Sequence, residues 1–561
     1  MREPGAAWNL AIATVVVVIF LPLLRVPRHD DDRTQWAWLH GLLPTHRAPW
    51  DLYSWALPSD NAIGRPAGHV PWWLPDDARV AMFRPLTSLT IWFDDRVLRG
   101  NVVAAHLHSM LWLALLAWAA GRFLRRTLRS DSARRVGLLV VLTSAPLVID
   151  LGWLCNRGAI LSCALGLLAL SSIGDWRESG ARRDARHGAA AWGLALAAGE
   201  YALAVVPLVL VVAVRSGTPV ARRRGVAGAL GVVAVSALWF AATRAAGYGF
   251  SGADVALDPS AYPLRFLRET PGRVAILLTV WDHSVTVEGA PWIQSAAQMS
   301  RALLFVATIV ALTDRSRRAA MLACLLAVGS SLVVLSAGLI HVRVLLPTTI
   351  ACAVGFSILW TTPGGVPGPR RTIVRWHDAV VRLSIGVLLT QQVLATWQYS
   401  VRYANGERER NQALFASGRR LERTGHRRFI VVAIGDAEGG VNPARAWASA
   451  GITVPIHWVT IGLGEVPVSL VRLNERSFIV RSHSSRPFLP PMPTLASGSR
   501  ARSVRIADLV LQPRSFRDGA ATEVLVDFPG DPETLGWTFV QARGARFEPI
   551  APLAEREARV Y

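Results

Sequence analysis

Residues 10–33 read Leu-Ala-Ile-Ala-Thr-Val-Val-Val-Val-Ile-Phe-Leu-Pro-Leu-Leu-Arg-Val-Pro-Arg-His-Asp-Asp-Asp-Arg. The first fifteen carry no charge, and the last six are all ionisable. A run of this kind buries as a helix in hydrocarbon and then delivers its charges to the membrane edge. One Arg precedes it, as in a signal peptide, but no small-x-small cleavage site follows Leu24. The expectation is an uncleaved first span.

The same texture recurs along the chain of 561 residues, which is 52% hydrophobic with a mean hydropathy of +0.33. Further nearly uncharged blocks are Leu111–Leu124, Val136–Ile149, Ile160–Ile173, Val226–Ala242, Leu303–Leu312, Leu322–Ile340, Val344–Trp360 and Val381–Leu394. Several fall short of the roughly 20 residues of a full crossing and draw on their polar-tolerant flanks. The net charge is +21 and every basic side chain apart from His is Arg. Guanidinium forks suit phosphate oxygens, but an all-Arg composition also follows from coding bias alone. Nucleic-acid binding is disfavoured, because the Arg runs lie between apolar blocks and form no basic domain. Cys155, Cys163, Cys324 and Cys352 sit in or beside apolar blocks without metal-ligand spacing, which argues against a disulfide framework or a zinc site.

Basic residues in short loops stay on the cytoplasmic side. The clusters are Arg122–Arg135, Arg177–Arg186, Arg215–Arg224, Arg315 with Arg317 and Arg318, and the linker Pro363–Arg375. Fixing these inside predicts about eleven spans, a first outer loop over residues 25–100, and an extracytoplasmic C-terminus. The stretch between Arg186 and Arg215 must go out and back as a short, partly re-entrant hairpin, with Gly199-Glu200 at its apex. Another outer stretch, 245 to about 296, is expected to hold a short apolar helix near 272–282. The domain reading is a polytopic helical membrane domain (1–400), a linker helix (401–427) and a β-rich extracytoplasmic domain (428–561). In the last, Phe429–Ile434, Thr453–Ile461, Ser477–Val480, Val504–Leu511, Glu523–Phe528 and Trp537–Gln541 are short β-prone runs between turn residues.

Several polar residues are out of place in such a chain. Asp30, Asp31 and Asp32 at the edge of span one read as a base, a divalent-cation ligand set or a solvated acidic cap. Arg84 precedes span two, as a phosphate contact or an interfacial snorkelling residue. Asp150 and Arg157 flank an outer turn, as a structural pair or part of a site. Glu200 lies in a long apolar stretch, where an ionisable group is a functional candidate by default. Arg244 and Arg343 each stand at the outer end of an apolar block. Six of the 22 Trp, namely Trp36, Trp38, Trp50, Trp55, Trp72 and Trp73, crowd the first outer loop, where interfacial anchoring is expected for most and sugar stacking for one or two.

The order of these motifs resembles the GT-C glycosyltransferase superfamily, and within it the bacterial relatives of the transmembrane-and-tetratricopeptide-repeat O-mannosyltransferases. The likeness runs through residues 8–400. It is carried by the acidic triplet, Arg84-Pro85-Leu86, Asn101 to His106, Pro146…Asp150…Trp153…Arg157, Gly199-Glu200 with Pro207, Arg244…Gly247, and Arg343…Leu346-Pro347. The resemblance implies a catalytic carboxylate at Asp31 or Asp32, with Asp30, Asp150 and Glu200 as supporting residues. It implies Arg84, Arg157, Arg244 and Arg343 on the phosphate of a polyprenyl-phosphate sugar donor. Glu200 matches the Glu of a family Lys-Glu pair whose Lys is Gly199 here, and a β-rich tail stands where the relatives have repeats. The implied activity is inverting sugar transfer to a protein, glycan or lipid acceptor on the outer face of the plasma (inner) membrane, among membrane lipids. No metal ligands are assigned and no cofactor is required beyond a divalent cation that the triplet could hold. The competing classes are a transporter or flippase, which would favour an inverted repeat and midplane charges, and a non-catalytic scaffold presenting the β domain.

Overall fold

The computed structural model describes residues 4–66, 68, 70–213, 217–251, 263–264, 266–269, 291–334, 344–361, 370–432, 443–453, 455–462, 467–483, 503–517, 520–543 and 545–560. Two expectations, Arg343 and the helix near 272–282, lie outside them. Helix α1 (Pro4–Phe20) follows the opening apolar run and ends in a 3-10 turn at Leu21–Arg25. Helix α2 (Asp30–Leu39) then begins on the acidic triplet. Three acids in a first turn complement the positive end of the helix dipole, and Asp32 accepts the His29 backbone N–H at 3.0 Å. The first loop continues with β1 (Ser54–Ala56), α3 (Pro58–Gly64), β2 (Arg79–Ala81) and α4 (Pro85–Arg96).

The apolar blocks become α5 (Val102–Thr127), α6 (Asp131–Leu142), α7 (Pro146–Gly152), α8 (Arg157–Ser179), α9 (Arg182–Ala198), α10 (Tyr201–Val205), α11 (Val209–Ala213) and α12 (Pro219–Ala245). After β3 (Gly249–Ser251) come α13 (Pro291–Thr313), α14 (Arg315–Val334), α15 (Leu346–Trp360) and α16 (Arg370–Glu422). The window Leu154–Ser179, which contains α8, is 78% buried, against 22–44% for the other long apolar helices, so α8 is the hub of the bundle. Strand β2 pairs with both β1 and β3, tying the first loop to the end of α12.

Eleven spans are not supported. Six helices among the described residues are long and apolar enough to cross a membrane: Trp8–Arg25, Val102–Thr127, Leu154–Ser179, Pro219–Ala245, Pro291–Thr313 and Asp378–Glu422. A seventh follows if α6 and α7, bent by 53°, count as one. The shortfall is physical. Helix α9 opens on Arg182, Arg183, Asp184 and Arg186. The apolar helix Tyr201–Ala213 is short and broken. Helix α15 has 15 residues, rising only ~22 Å at 1.5 Å each in a core of ~30 Å.

The Arg-rich ends nevertheless gather. Arg122 meets Asp175 at 2.6 Å, Trp360 Nε1 donates to Ser132 Oγ at 3.2 Å, and Arg317 donates to the Thr361 carbonyl. Gly180 lies against Arg224 and Gly217 against Arg177. These contacts collect the ends of α5, α8, α12, α14 and α15 at one pole. The β1–β2–β3 sheet and the C-terminal region occupy the other.

Helix α16 runs unbroken through the stretch expected as a separate linker. Beyond it lie β4 (Arg428–Val431), α17 (Ala444–Ser449), β5 (His457–Thr460), β6 (Val468–Arg472), β7 (Ser477–Ser482), β8 (Val504–Ile506), β9 (Leu509–Arg517), β10 (Ala520–Asp527), β11 (Trp537–Arg543), β12 (Arg546–Pro549) and β13 (Ala558–Val560). They form a six-stranded sheet, β13-β6-β7-β10-β9-β8, and a four-stranded sheet, β12-β11-β4-β5. The run expected as one strand over Val504–Leu511 is a hairpin, because Ala507 turns the chain at φ +53°. Ile430, Val459, Leu470, Phe478, Val526 and Trp537 build the core between the sheets. Trp72 and Trp73 are buried in that same core. These two are therefore not membrane anchors: protein covers them. Trp50 is exposed.

Candidate active site

A cavity of about 470 Å³ opens at the pole that carries the sheet β1–β2–β3. Its wall takes Asp31, Thr34 and Trp38 from α2, and Arg47, Tyr53, Trp55 and Asp60 from the first loop. Arg84 comes from the start of α4, Cys155 and Asn156 from the turn before α8, and Glu200 and Tyr201 from the apex between α9 and α10. Trp239, Phe240, Thr243 and Arg244 come from the end of α12.

The acidic triplet divides its work because successive helical residues point about 100° apart. Asp30 turns outward to Arg33 at 2.8 Å and Arg410 at 3.2 Å. Asp31 faces the cavity, with the Cys155 thiol 3.8 Å from its Oδ2. Asp32 turns inward, buried, and accepts three backbone N–H groups, from His29 at 3.0 Å, Leu154 at 3.3 Å and Cys155 at 2.8 Å. Burial pushes its carboxyl up to about 7 against those amides, and neighbouring Asp31 adds to the rise. Three carboxylates aimed three ways do not make a cation site. Among the described residues no group of three or more His, Cys, Asp or Glu is arranged to hold a metal ion.

Arg84 makes a two-pronged pair with Glu200, Nε to Oε2 at 3.0 Å and the second guanidinium nitrogen to Oε1. Its guanidinium sits 5.0 Å from the Tyr53 ring and 5.1 Å from the Tyr201 ring. Glu200 thus finds its cation in the residue that immediately precedes α4. The Tyr53 hydroxyl donates to the Cys155 carbonyl, which ties the loop to the same turn that holds Asp32.

Arg157 does not reach the cavity. It is fully buried and pairs with Asp94 at 2.6 Å, with Nε donating to Ser109 Oγ at 3.0 Å and a terminal nitrogen to the Ala105 carbonyl at 2.9 Å. A pair with Asp150 is one of the two readings the sequence offers. That residue is instead buried within α7, away from the cavity wall. Arg244 does line the cavity. Its guanidinium passes so close to Gly249 that a Cβ there would lie 1.8 Å from a terminal nitrogen. Arg343 is outside the described residues; its neighbour Val344 lines the cavity.

One part of the wall is not foreseen from the sequence. There Arg47 pairs with Asp60 at 2.6 Å and lies over the Trp38 ring at 5.1 Å, and Trp38 packs on Trp55 at 5.4 Å. The crowding of Trp in this loop is the one available signal. Chemically, the cavity offers three carboxylates (Asp31, Asp60 and Glu200), three guanidinium groups (Arg47, Arg84 and Arg244), of which Arg47 and Arg84 pair with Asp60 and Glu200, together with aromatic faces and an apolar edge of Leu203, Trp239, Phe240 and Val344. No family model matches the chain, and no curated protein matches it.

Proposed function

We propose that the chain is a membrane glycosyltransferase of GT-C type, moving a sugar from a polyprenyl-phosphate donor to an acceptor hydroxyl at the extracytoplasmic face. The observation that carries the reading is the convergence of Asp31 and Arg244 on one cavity, from elements more than 200 positions apart in sequence. Inverting transfer needs a base beside the acceptor oxygen and a cation for the departing phosphate. In this reading Asp31 takes the hydroxyl proton as the oxygen bonds to the anomeric carbon. The bond from that carbon to the phosphate oxygen breaks, and the phosphate leaves against Arg244. Asp32 positions Asp31 by pinning the start of α2 to the turn at Leu154 and Cys155. Arg84, already engaged by Glu200, holds the wall between them.

The apolar edge fits the remaining part of such a donor. Trp239 and Phe240 belong to α12, a candidate span with a largely exposed apolar surface, so a prenyl tail can reach the cavity sideways from lipid. The Arg-rich pole then faces the cytoplasm, following the preference of basic loops, and the β domain lies outside. The test is transfer from polyprenyl-phosphate sugars by purified protein in lipid discs. Asp31→Asn should lower turnover by about 10²–10⁴ without moving the thermal midpoint, since Asp31 is half-buried and holds no part of the core. Equal turnover by wild type and variant, or none from wild type across the common polyprenyl-phosphate sugars, overturns the reading.

A further inference from the structure

No described residue after Val344 lines the cavity, yet the C-terminal region grips two of its walls. The first grip is on the segment 58–78. One face of it, Asp60, Gly64, Val70 and Pro71, lines the cavity. The other face is built into the β domain. Trp72 Nε1 donates to the Ile461 carbonyl at 3.3 Å, and the Trp458 backbone N–H donates to the Pro66 carbonyl at 3.4 Å. Trp72 and Trp73, 3% and 7% exposed, complete the core between the two sheets. Gly68, at φ +71°, lies where a Cβ would be 2.5 Å from the Trp458 carbonyl oxygen. The segment is stiff within itself, because Asn61 Nδ2 donates to the carbonyls of Asp76 at 3.0 Å and Ala78 at 2.9 Å, and Arg65 pairs with Asp76.

The second grip is on α2. Arg410 of α16 holds Asp30 at 3.2 Å, and Arg33 donates to the Asn411 side chain. The next residue after Asp30 is Asp31, which faces the cavity.

We propose that the segment 58–78 is a two-faced strap by which the β domain holds the cavity closed, with Trp72 and Arg410 as positioning residues for the roof and for Asp31. The proposal rests on the glycosyltransferase reading for what the cavity does, and not for how its walls are held. Physically, the outer face of this segment draws its apolar support from the β-domain core, through Trp72 and Trp73. Removing that support frees a segment that is otherwise tied to the bundle through the Arg47–Asp60 pair and the short strands flanking it. Local opening of such a segment costs far less than global unfolding.

Cys155 is a native reporter, since it lines the cavity and is 3% exposed. The full chain in lipid discs is treated with a charged methanethiosulfonate, and modification of the Cys155 peptide is timed by mass spectrometry. Trp72→Ala should raise the rate about tenfold or more, and Trp72→Phe about threefold or less. Arg410→Gln should raise it and Arg410→Lys restore it. In the transfer assay Trp72→Ala should raise KM with a smaller change in kcat. If Trp72→Ala does not fold, Gly68→Ala wedges the same contact with a single methyl. Leu167→Ala, in the buried heart of α8, controls for general loosening. Wild-type labelling rates in Trp72→Ala and Gly68→Ala overturn the proposal, and so does equal acceleration by Leu167→Ala. Accelerated labelling with no transfer by wild type sustains the strap and sinks the glycosyltransferase reading alone.

Discussion

Replacing Glu200 by Gln should destabilise the protein by about 3 kcal/mol, through the charge it leaves behind. Arg84 is 6% exposed and two-pronged on Glu200. At ~3 Å and an effective dielectric of about 20, the Coulomb attraction is roughly 5 kcal/mol. Breaking a buried pair from one side costs about 3–5 kcal/mol. Two features argue for the lower end. Glu200 keeps 24% of its side chain exposed, so water screens part of the attraction. The rings of Tyr53 and Tyr201 on either side of Arg84 survive the substitution and retain about 1–2 kcal/mol of cation–π attraction. The assay is thermal unfolding in detergent, followed by a thiol-reactive dye that reports exposure of buried Cys163 and Cys324. Glu200→Gln should lower the midpoint by about 2–3 °C. Arg84→Met with Glu200→Met should recover most of that loss, because an apolar pair leaves no stranded charge. Additive losses in the double variant, or no loss in Glu200→Gln, would refute the coupling.

Gly249→Ala should displace the Arg244 guanidinium, which a Cβ would overlap at 1.8 Å, and lower transfer about tenfold or more; unchanged kinetics would remove Arg244 from the site. Asp94→Asn should cost about 3–5 kcal/mol by stranding the buried Arg157 while leaving the donor KM unchanged in whatever protein still folds; a specific rise in KM would return Arg157 to the phosphate. The Asp32 carboxyl titrates at about 7 in the fold, against an ordinary value of 3.8, so the fold binds a proton more tightly than the unfolded chain does. Its contribution is fully present below about pH 4 and is lost as pH rises to about 7. The thermal midpoint should therefore fall from about pH 5 to about pH 7, and Asp32→Asn should flatten that slope. Equal slopes in the two proteins would contradict the assignment.

How much of the fold and the site is legible in the sequence depends on the range of the interaction. The apolar blocks, the tail's strands and the pole of the Arg loops follow from local composition, which secondary structure and lipid read directly. The break at Gly199-Glu200 is legible because a short segment with both ends on one side has nowhere else to turn. Full spans are overcounted, since an apolar block says that a helix is buried and not by what; α15 is covered largely by neighbouring helices, and α9 opens on charged residues. Pairings across the fold are invisible. Arg157 sits seven residues from Asp150, yet it bonds to Asp94 of α4, and Glu200 finds its cation 116 positions earlier in the chain.

The divided triplet gives the sharpest lesson about the candidate site. Read as a string, Asp30-Asp31-Asp32 suggests shared chemistry, either mutual repulsion or a common cation. Once the string starts a helix, each carboxylate meets a different world: Arg33 and Arg410, the cavity, and a nest of backbone amides. Only the middle one is placed to act on a substrate, and its neighbours fix it from opposite sides. Asp30 ties the helix to the C-terminal half, and Asp32 ties it to the turn before α8. The same argument explains why no one of the three can stand in for another. Moving the acid by one position turns it about 100° around the helix, out of the cavity and into a salt bridge or a peptide cage. An Asp31→Ala chain with its two flanking acids intact should therefore be as inactive as one lacking all three, while folding as well as wild type.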